Sequence, residues 1–330
     1  MHQRFSSSRR ALLGWTAAAG AAAAWPLRAR AQTFPTKALT MIVPYTAGGA
    51  SDIAARMLDQ EIGRQLGQTV IIDNVAGAGG ALGVMKAVRA PADGHTLLYG
   101  SLSETLLVPL VNAKVGYSAD ALMPVAYTGG TPAVFVARPD FPADDLDAFI
   151  ALARRNPGRF SYGSPGIGTF QHVIGEAFKA RAGVFMVHIP YRGGAQILAD
   201  VIGGQIDIGI TSAVNAAGFV SKGRLKAIGV TSAGRLSALS GAQPFGESAP
   251  LKGLELATWA AVFAPAGTPA PVVQQLNGAV NAALMLPTNV QMRARLGAEL
   301  PAVMTPAQTQ AFVAAERAKY EPLVRAIKFE

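Results

Sequence analysis

The 330-residue sequence contains no cysteine, which excludes disulfide bridges, thiolate zinc sites, iron–sulfur clusters and a cysteine nucleophile. Charge is sparse, at 15% Asp, Glu, Lys and Arg. No block of lysine and arginine forms the stripe that follows a nucleic-acid backbone. Past the N-terminus no apolar run reaches the roughly 18 residues that span a bilayer. There is no G-x-S-x-G elbow and no P-loop. Of the four histidines, only His95, His172 and His188 lie beyond the first few residues, so a Ser–His–acid triad would have to use one of them. What is present is 50% hydrophobic residues, 36 glycines and 21 prolines. That composition excludes a mainly disordered chain, and the length fits two domains.

Residues 1–31 carry five arginines (Arg4, Arg9, Arg10, Arg28 and Arg30), no lysine and no acid. An alanine-rich apolar stretch, 11–27, leads to Ala29-Arg30-Ala31. A basic start, a short apolar centre and a small-x-small end predict a secretory signal peptide cleaved after Ala31. Ser8-Arg9-Arg10 followed by Leu12 and Leu13 resembles a twin-arginine signal, with general secretory export as the alternative. Without this segment 24 basic residues face 20 acidic ones, and the net charge falls from +9 to +4. The expected mature protein is soluble, monomeric and periplasmic, with no nucleic-acid partner.

Short apolar runs at 39–43, 70–72, 96–99, 133–137, 185–189, 206–210 and 225–230 read as buried strands. Helical periodicity marks 51–66, 80–88, 146–155, 169–181, 195–202, 270–286 and 306–325. Alternation of the two predicts an α/β fold with mostly parallel sheets. Four glycine-rich loops each join a strand's carboxyl end to a helix start: Pro44 to Asp52, Gly77 to Gly80, Gly163 to Thr169, and Pro190 to Ala195. In open α/β sheets ligands bind outside those carboxyl ends. Helix starts offer free N–H groups to an anion. Asp52 and Arg192 are the only charged residues in the loops, so recognition should rest on backbone amides, hydroxyls and water.

In this order the motifs resemble those of the periplasmic receptors of tripartite tricarboxylate transporters, called Bug receptors in beta-proteobacteria. The residues that carry the likeness are Ile42-Val43-Pro44-Tyr45-Thr46-Ala47-Gly48-Gly49-Ala50-Ser51-Asp52 with Arg56, Gly77-Ala78-Gly79-Gly80, and Pro91-Ala92-Asp93-Gly94-His95-Thr96. Further along come Tyr162-Gly163-Ser164-Pro165-Gly166-Ile167-Gly168-Thr169 with His172 and Glu176, then Pro190-Tyr191-Arg192-Gly193-Gly194-Ala195. Gly204-Gln205-Ile206-Asp207 and Trp259 with Ala264-Pro265-Ala266-Gly267-Thr268-Pro269 complete the series. The resemblance implies a two-lobed periplasmic-binding-protein fold of type II, with two crossovers near 128–132 and 254–260. One lobe would combine 32–130 with 256–330, and the other would hold 131–255. It also implies a small carboxylate ligand held in the cleft and membrane permease subunits as partners.

The site expected on this basis draws from both lobes. Tyr45, Thr46, Ala47, Gly48, Gly49 and Ser51 wrap one end of the ligand, with Asp52 as cap or contact and Gly79 and Ser101 beside them. Ser164, Gly166, Gly168, Thr169 and His172 meet the other end. Tyr191, Gly193, Gly194 and Ala195 close the pocket, and Asp207 orients amides or accepts from the ligand. The loop 211–213 faces the same cleft. Arg56 is expected to pair with an acid, and Arg192 to point to solvent. His172-x-x-x-Glu176 could offer two metal ligands from one helix face, but no third is apparent. No metal and no cofactor is therefore expected. A sensor that passes the ligand signal to a signalling partner stays open, and so does an exported hydrolase or cofactor-binding enzyme using Gly77 to Gly80.

Overall fold

The run Leu-Thr-Met-Ile-Val at Leu39–Val43 (β1) buries four of its five side chains. A strand so apolar on both faces belongs in the middle of a covered parallel sheet, and it pairs in parallel with Val70–Asn74 (β2) and Thr96–Ser101 (β3). The structure, a computed structural model, describes residues 34–254, 256–295, 300–327 and 329. The expected export segment, 1–31, lies outside the described residues.

Leu122–Ala137 (β4) is 16 residues long and serves two sheets. Its first half lies antiparallel to Ala257–Pro265 (β10), which also lies antiparallel to β3. Its second half, from Ala133, lies antiparallel to Ile208–Ser212 (β7) and to Lys226–Val230 (β8). Ser161–Ser164 (β5) runs parallel to both Val187–Pro190 (β6) and β7. Gln243–Pro244 (β9) closes the far edge beside β8. The result is the two-lobed periplasmic-binding-protein fold, with β4 running from one sheet into the other and β10 connecting the chain back to the first. The topology is mixed rather than mostly parallel, because both connecting strands run against their neighbours.

Helices cover both sheets and are stopped by ordinary capping chemistry. Thr169 caps Phe170–Ala182, its Oγ1 accepting from His172 N–H, and Gly183 ends that helix in the left-handed region. Thr305 and Gln308 form a capping box at the start of Pro306–Ala326. This last helix lies against the crossover. Tyr320 is fully buried and donates to the Ala257 carbonyl at 2.9 Å. Phe312 packs on Tyr127 and Trp259, with ring centroids 4.7 and 5.6 Å apart. The second sheet is covered by Phe135, Phe149, Phe178 and Phe245, all fully buried. Each such ring contributes about 2 kcal/mol through burial.

The helix expected over 51–66 is interrupted. Ala50–Arg56 ends where Leu58 N–H turns back to the Ala55 carbonyl, and Asp59–Leu66 starts afresh. The turn separates two apolar faces: Leu58 and Ile62 are fully buried in the core, while Ile53 and Met57 line a cavity.

Candidate ligand-binding site

The cavity forms where β4 leaves one sheet for the other. Ala260 and Ala261 of β10 stand opposite Gly129 and Tyr127, so Thr128 is the extra residue of a bulge. A bulge bends its strand and re-aims a side chain. Thr128 is buried, and its Oγ1 donates to the Tyr99 hydroxyl at 3.1 Å. Gly129, at φ +104°, supplies a backbone conformation that other residues rarely adopt. The cavity volume is about 130 Å³, roughly ten times what one water requires.

The wall from the first sheet is a network. Ser101, Ser103, Tyr99 and Tyr45 line it, and Glu104 lies fully buried behind them. Tyr45 donates to Glu104 Oε2 at 2.8 Å, Ser101 Oγ donates to the same oxygen at 2.6 Å, and the Ser101 N–H donates to Oε1. Burial pushes the Glu104 carboxyl up to about 7, although these donors favour its charged form. Burial also pushes up Tyr99, against the opposing pull of the nearby Arg293 guanidinium. Tyr45 is raised well above its ordinary value by burial and then by Glu104.

The opposite wall is built of small groups. Gly194, Thr211, Ser212 and Asn215 line it. Gly194 starts the helix Gly194–Ile202, and Ser212 caps Ala213–Val220 by accepting from Asn215 N–H. Asn215 Nδ2 donates to Thr211 Oγ1 at 3.1 Å. A Cβ on Gly194 would stand 2.2 Å from Asn215 Nδ2 and 2.7 Å from Thr211 Oγ1, so a side chain there displaces these two lining groups. From β10, Thr258 and Trp259 complete the lining. Thr258 Oγ1 and Trp259 Nε1 are buried and have no hydrogen-bond partner among the described residues. A buried polar group left so costs about 1–3 kcal/mol unless something bonds to it.

The structure brings Tyr45, Gly49, Ser51, Ser101 and Gly194 to this cavity, together with Thr211 and Ser212. It gives the other expected residues different neighbours. Ala47 and Gly48 are exposed. Asp52 accepts from Gly48 N–H, Arg56 Nε and Asn74 Nδ2 at 2.9, 3.0 and 3.1 Å. Burial would raise its carboxyl, but those donors hold it low. Thr46 faces Gly193, whose Cβ would lie 2.4 Å from Thr46 Oγ1, and Gly166 presses on Gly79, where a Cβ would lie 2.8 Å from the Gly79 Cα. These are contacts between loops of the two sheets.

Ser164 is fully buried, and its Oγ is 2.6 Å from His188 Nε2. Gly168 N–H donates to His172 Nδ1 at 3.1 Å, and the His172 and His188 rings stack at 4.1 Å. Burial lowers these imidazoles to about 4 and about 3, so both are neutral at physiological pH. Thr169 Oγ1 donates to the Gly166 carbonyl. The 164–172 segment thus spends its hydrogen bonds within itself, on His188 and Tyr191, and on Ser103 Oγ, which accepts from Phe170 N–H at 2.9 Å, and it is Pro165 and Gln171 that line the cavity. Tyr191 donates to Asp200 at 2.7 Å, and Ala195 and Arg192 are exposed. Asp207 precedes β7 rather than closing a strand. It accepts from Ser161 N–H and Oγ at 2.8 and 3.0 Å, while the cavity lies at the other end of β7, about 15 Å away at strand rise. Among the described residues, no group of three or more His, Asp or Glu is placed to hold a metal ion.

Arg293 is the lining residue whose absence from the sequence reading matters most, as the only charged side chain in the described lining. Tyr99, Thr128, Thr258 and Asn215 were missed as well.

Known proteins share this architecture. The sequence model of the tripartite tricarboxylate transporter family receptors matches residues 54–329. Protein BugT of Bordetella pertussis (strain Tohama I) is 33% identical over 297 residues, covering 89% of this chain and 90% of that protein. The solved structure of MatC from Rhodopseudomonas palustris with bound malate is 29% identical with a TM-score of 0.84, covering 88% of this chain and all of that one. An R. palustris structure with adipate is 30% identical with a TM-score of 0.83, covering 88% and 97%. With a match spanning most of its length, this chain belongs to the tripartite tricarboxylate transporter receptor family.

Proposed function

We propose that the protein is a periplasmic receptor that clasps a small carboxylate between its lobes and delivers it to the membrane subunits of a tripartite tricarboxylate-type transporter. The lobes divide as 32–130 with 256–330, and 131–255; residues 1–31 serve export and are removed after Ala31. One observation carries the reading. A cavity of about 130 Å³ sits where β4 passes from one sheet to the other beside β10, and residues of both sheets line it. Malate and adipate in two related structures support the ligand class. Buried, unpartnered donors on Thr258 and Trp259 support a polar occupant. Among the described residues, the lining holds no acid–base pair of the kind that hydrolysis needs.

Thermal shift against a carboxylate panel tests this. A ligand at 100 times its dissociation constant stabilises by about 2.7 kcal/mol. Gly194→Leu, which drives a side chain against Asn215 and Thr211, should abolish the shift and leave the circular dichroism spectrum intact. If no carboxylate shifts the wild-type protein, or if the shift survives in Gly194→Leu, the proposal fails.

A further inference from the structure

Gln171 stands in the first turn of the helix Phe170–Ala182 and lines the cavity. Three hydrogen bonds fix that helix start. Thr169 Oγ1 accepts from His172 N–H and donates to the Gly166 carbonyl. Phe170 N–H donates to Ser103 Oγ at 2.9 Å, which ties the helix start to the wall of the first sheet. Thr169 is therefore the cap and Ser103 takes the first N–H, so the Gln171 side chain is not spent on capping. It is 8% exposed, and no hydrogen bond to the described residues engages its amide.

The neighbouring polar side chains are already engaged. Tyr45 and Ser101 donate to Glu104, Thr128 donates to Tyr99, and Asn215 donates to Thr211. Gln171 differs, because it offers two N–H donors and an accepting carbonyl oxygen together. Leaving such groups buried and unanswered is costly, and a bound molecule that answers them offsets the cost. The chemistry of the amide narrows what that molecule presents. A carboxylate only accepts, so it leaves the Gln171 carbonyl oxygen unmet, and an ammonium only donates. A hydroxyl does both and brings no charge that the wall must neutralise. Ile53, Ala54, Met57 and Val214 add an apolar stretch to the same lining, which suits the carbon body of such a solute.

We propose that Gln171 is a specificity-determining residue that reads a hydroxyl group of the bound solute, so that this receptor selects hydroxycarboxylates over the same acids without the hydroxyl. The inference rests on the reading of the cavity as the solute site.

The test measures matched acids by calorimetry: malate with succinate, 3-hydroxyglutarate with glutarate, lactate with propionate, and mandelate with phenylacetate. The proteins are the wild type, Gln171→Met, Gln171→Asn and Gly194→Leu, with folding checked by circular dichroism. The quantity read is the affinity ratio within a pair, which a general loosening of the site lowers for both members alike and so does not move. The wild type should prefer the best hydroxy acid over its partner by about tenfold. Gln171→Met keeps the length of the side chain and removes the amide, so the ratio should fall to within about twofold through weaker binding of the hydroxy acid alone. Gln171→Asn draws the amide back by one methylene and should lose most of the preference too. A wild-type ratio near one in every pair, or a preference kept in Gln171→Met, overturns the role of Gln171, and loss of binding in Gly194→Leu then leaves the cavity reading standing. Binding that survives in Gly194→Leu, or no acid bound at all, overturns the cavity reading and this inference with it. Should Gln171→Met fail to fold, Gln171→Asn decides, and a full preference there overturns the proposal.

Discussion

The two walls of the cavity are built on opposite plans. The first sheet presents long side chains locked to a buried acid: Tyr45 and Ser101 on Glu104, and Tyr99 between Thr128 and Arg293. The second presents glycine, serine, threonine and asparagine at two helix starts. Buried networks of the first kind are rigid and expensive to rearrange. Small polar loops pack closely without ordering long side chains, which costs little entropy. One wall is therefore suited to hold charge in a fixed place, and the other to move against it.

The contrast has a titration signature. Glu104 is raised to about 7 in the folded protein by burial. Its ionisation penalty is absent below pH 4.5 and grows as pH rises through 7, so it makes stability fall over that window by about 3 kcal/mol. His172 and His188, behind the second wall, are lowered to about 4 and about 3, again by burial. Their penalty is absent above pH 6.5 and grows as pH falls, so they make stability rise with pH. The opposed slopes overlap between pH 4.5 and 6.5. Urea unfolding of Glu104→Gln from pH 4.5 to 8 should expose the rising slope and remove the loss above 6.5. An unchanged profile would mean that Glu104 does not ionise in this range and that the two walls do not differ in this respect.

The next effect concerns movement of the second wall. A Cβ at Gly193 would lie 2.4 Å from Thr46 Oγ1 across the two sheets. Gly193 has extended backbone that alanine adopts without strain, so Gly193→Ala should leave each sheet folded and hinder only their approach. Carboxylate affinity should drop about tenfold, or about 1.4 kcal/mol. The double variant Gly193→Ala with Thr46→Ala removes the obstructing hydroxyl and should recover most of the loss. Without recovery, the two loops do not set the closed geometry.

Much of this was legible in the sequence, for physical reasons that also mark its limits. The strands around Leu39–Val43 and Lys226–Val230 are continuous apolar runs, and such runs announce themselves. The crossover strands do not: β4 contains Pro124, Gly129, Gly130 and Pro132, which read as breakers, and β10 is rich in alanine, a weak strand former. Gly49, Ser51 and Gly194, which the structure places in the cavity lining, are legible because a glycine loop after a strand is a local pattern. Thr128, Tyr99 and Arg293 meet only through the bulge and the last helices, across 194 positions of sequence, and no local pattern records that. The loop 163–169 shows the converse limit. Its glycines, hydroxyls and histidine look like a ligand cradle, while the structure ties Ser164 to His188, Gly168 to His172 and Thr169 to Gly166.

That last point gives the smallest effect and separates a loop that packs from one that binds. Ser164 Oγ pairs with His188 Nε2 at 2.6 Å and accepts from Gly166 N–H at 3.3 Å, fully buried. Ser164→Ala leaves the half-buried His188 imidazole nitrogen without that partner, which costs about 1–2 kcal/mol of stability. The cavity lining does not include Ser164, so affinity for the best carboxylate should stay within about twofold. Both quantities come from one denaturation series and one calorimetric titration. A large fall in affinity with unchanged stability would move Ser164 from the packing of the second sheet into its binding wall. That wall would then extend along the 164–169 loop, and the asymmetry between the two sides of the cavity would narrow.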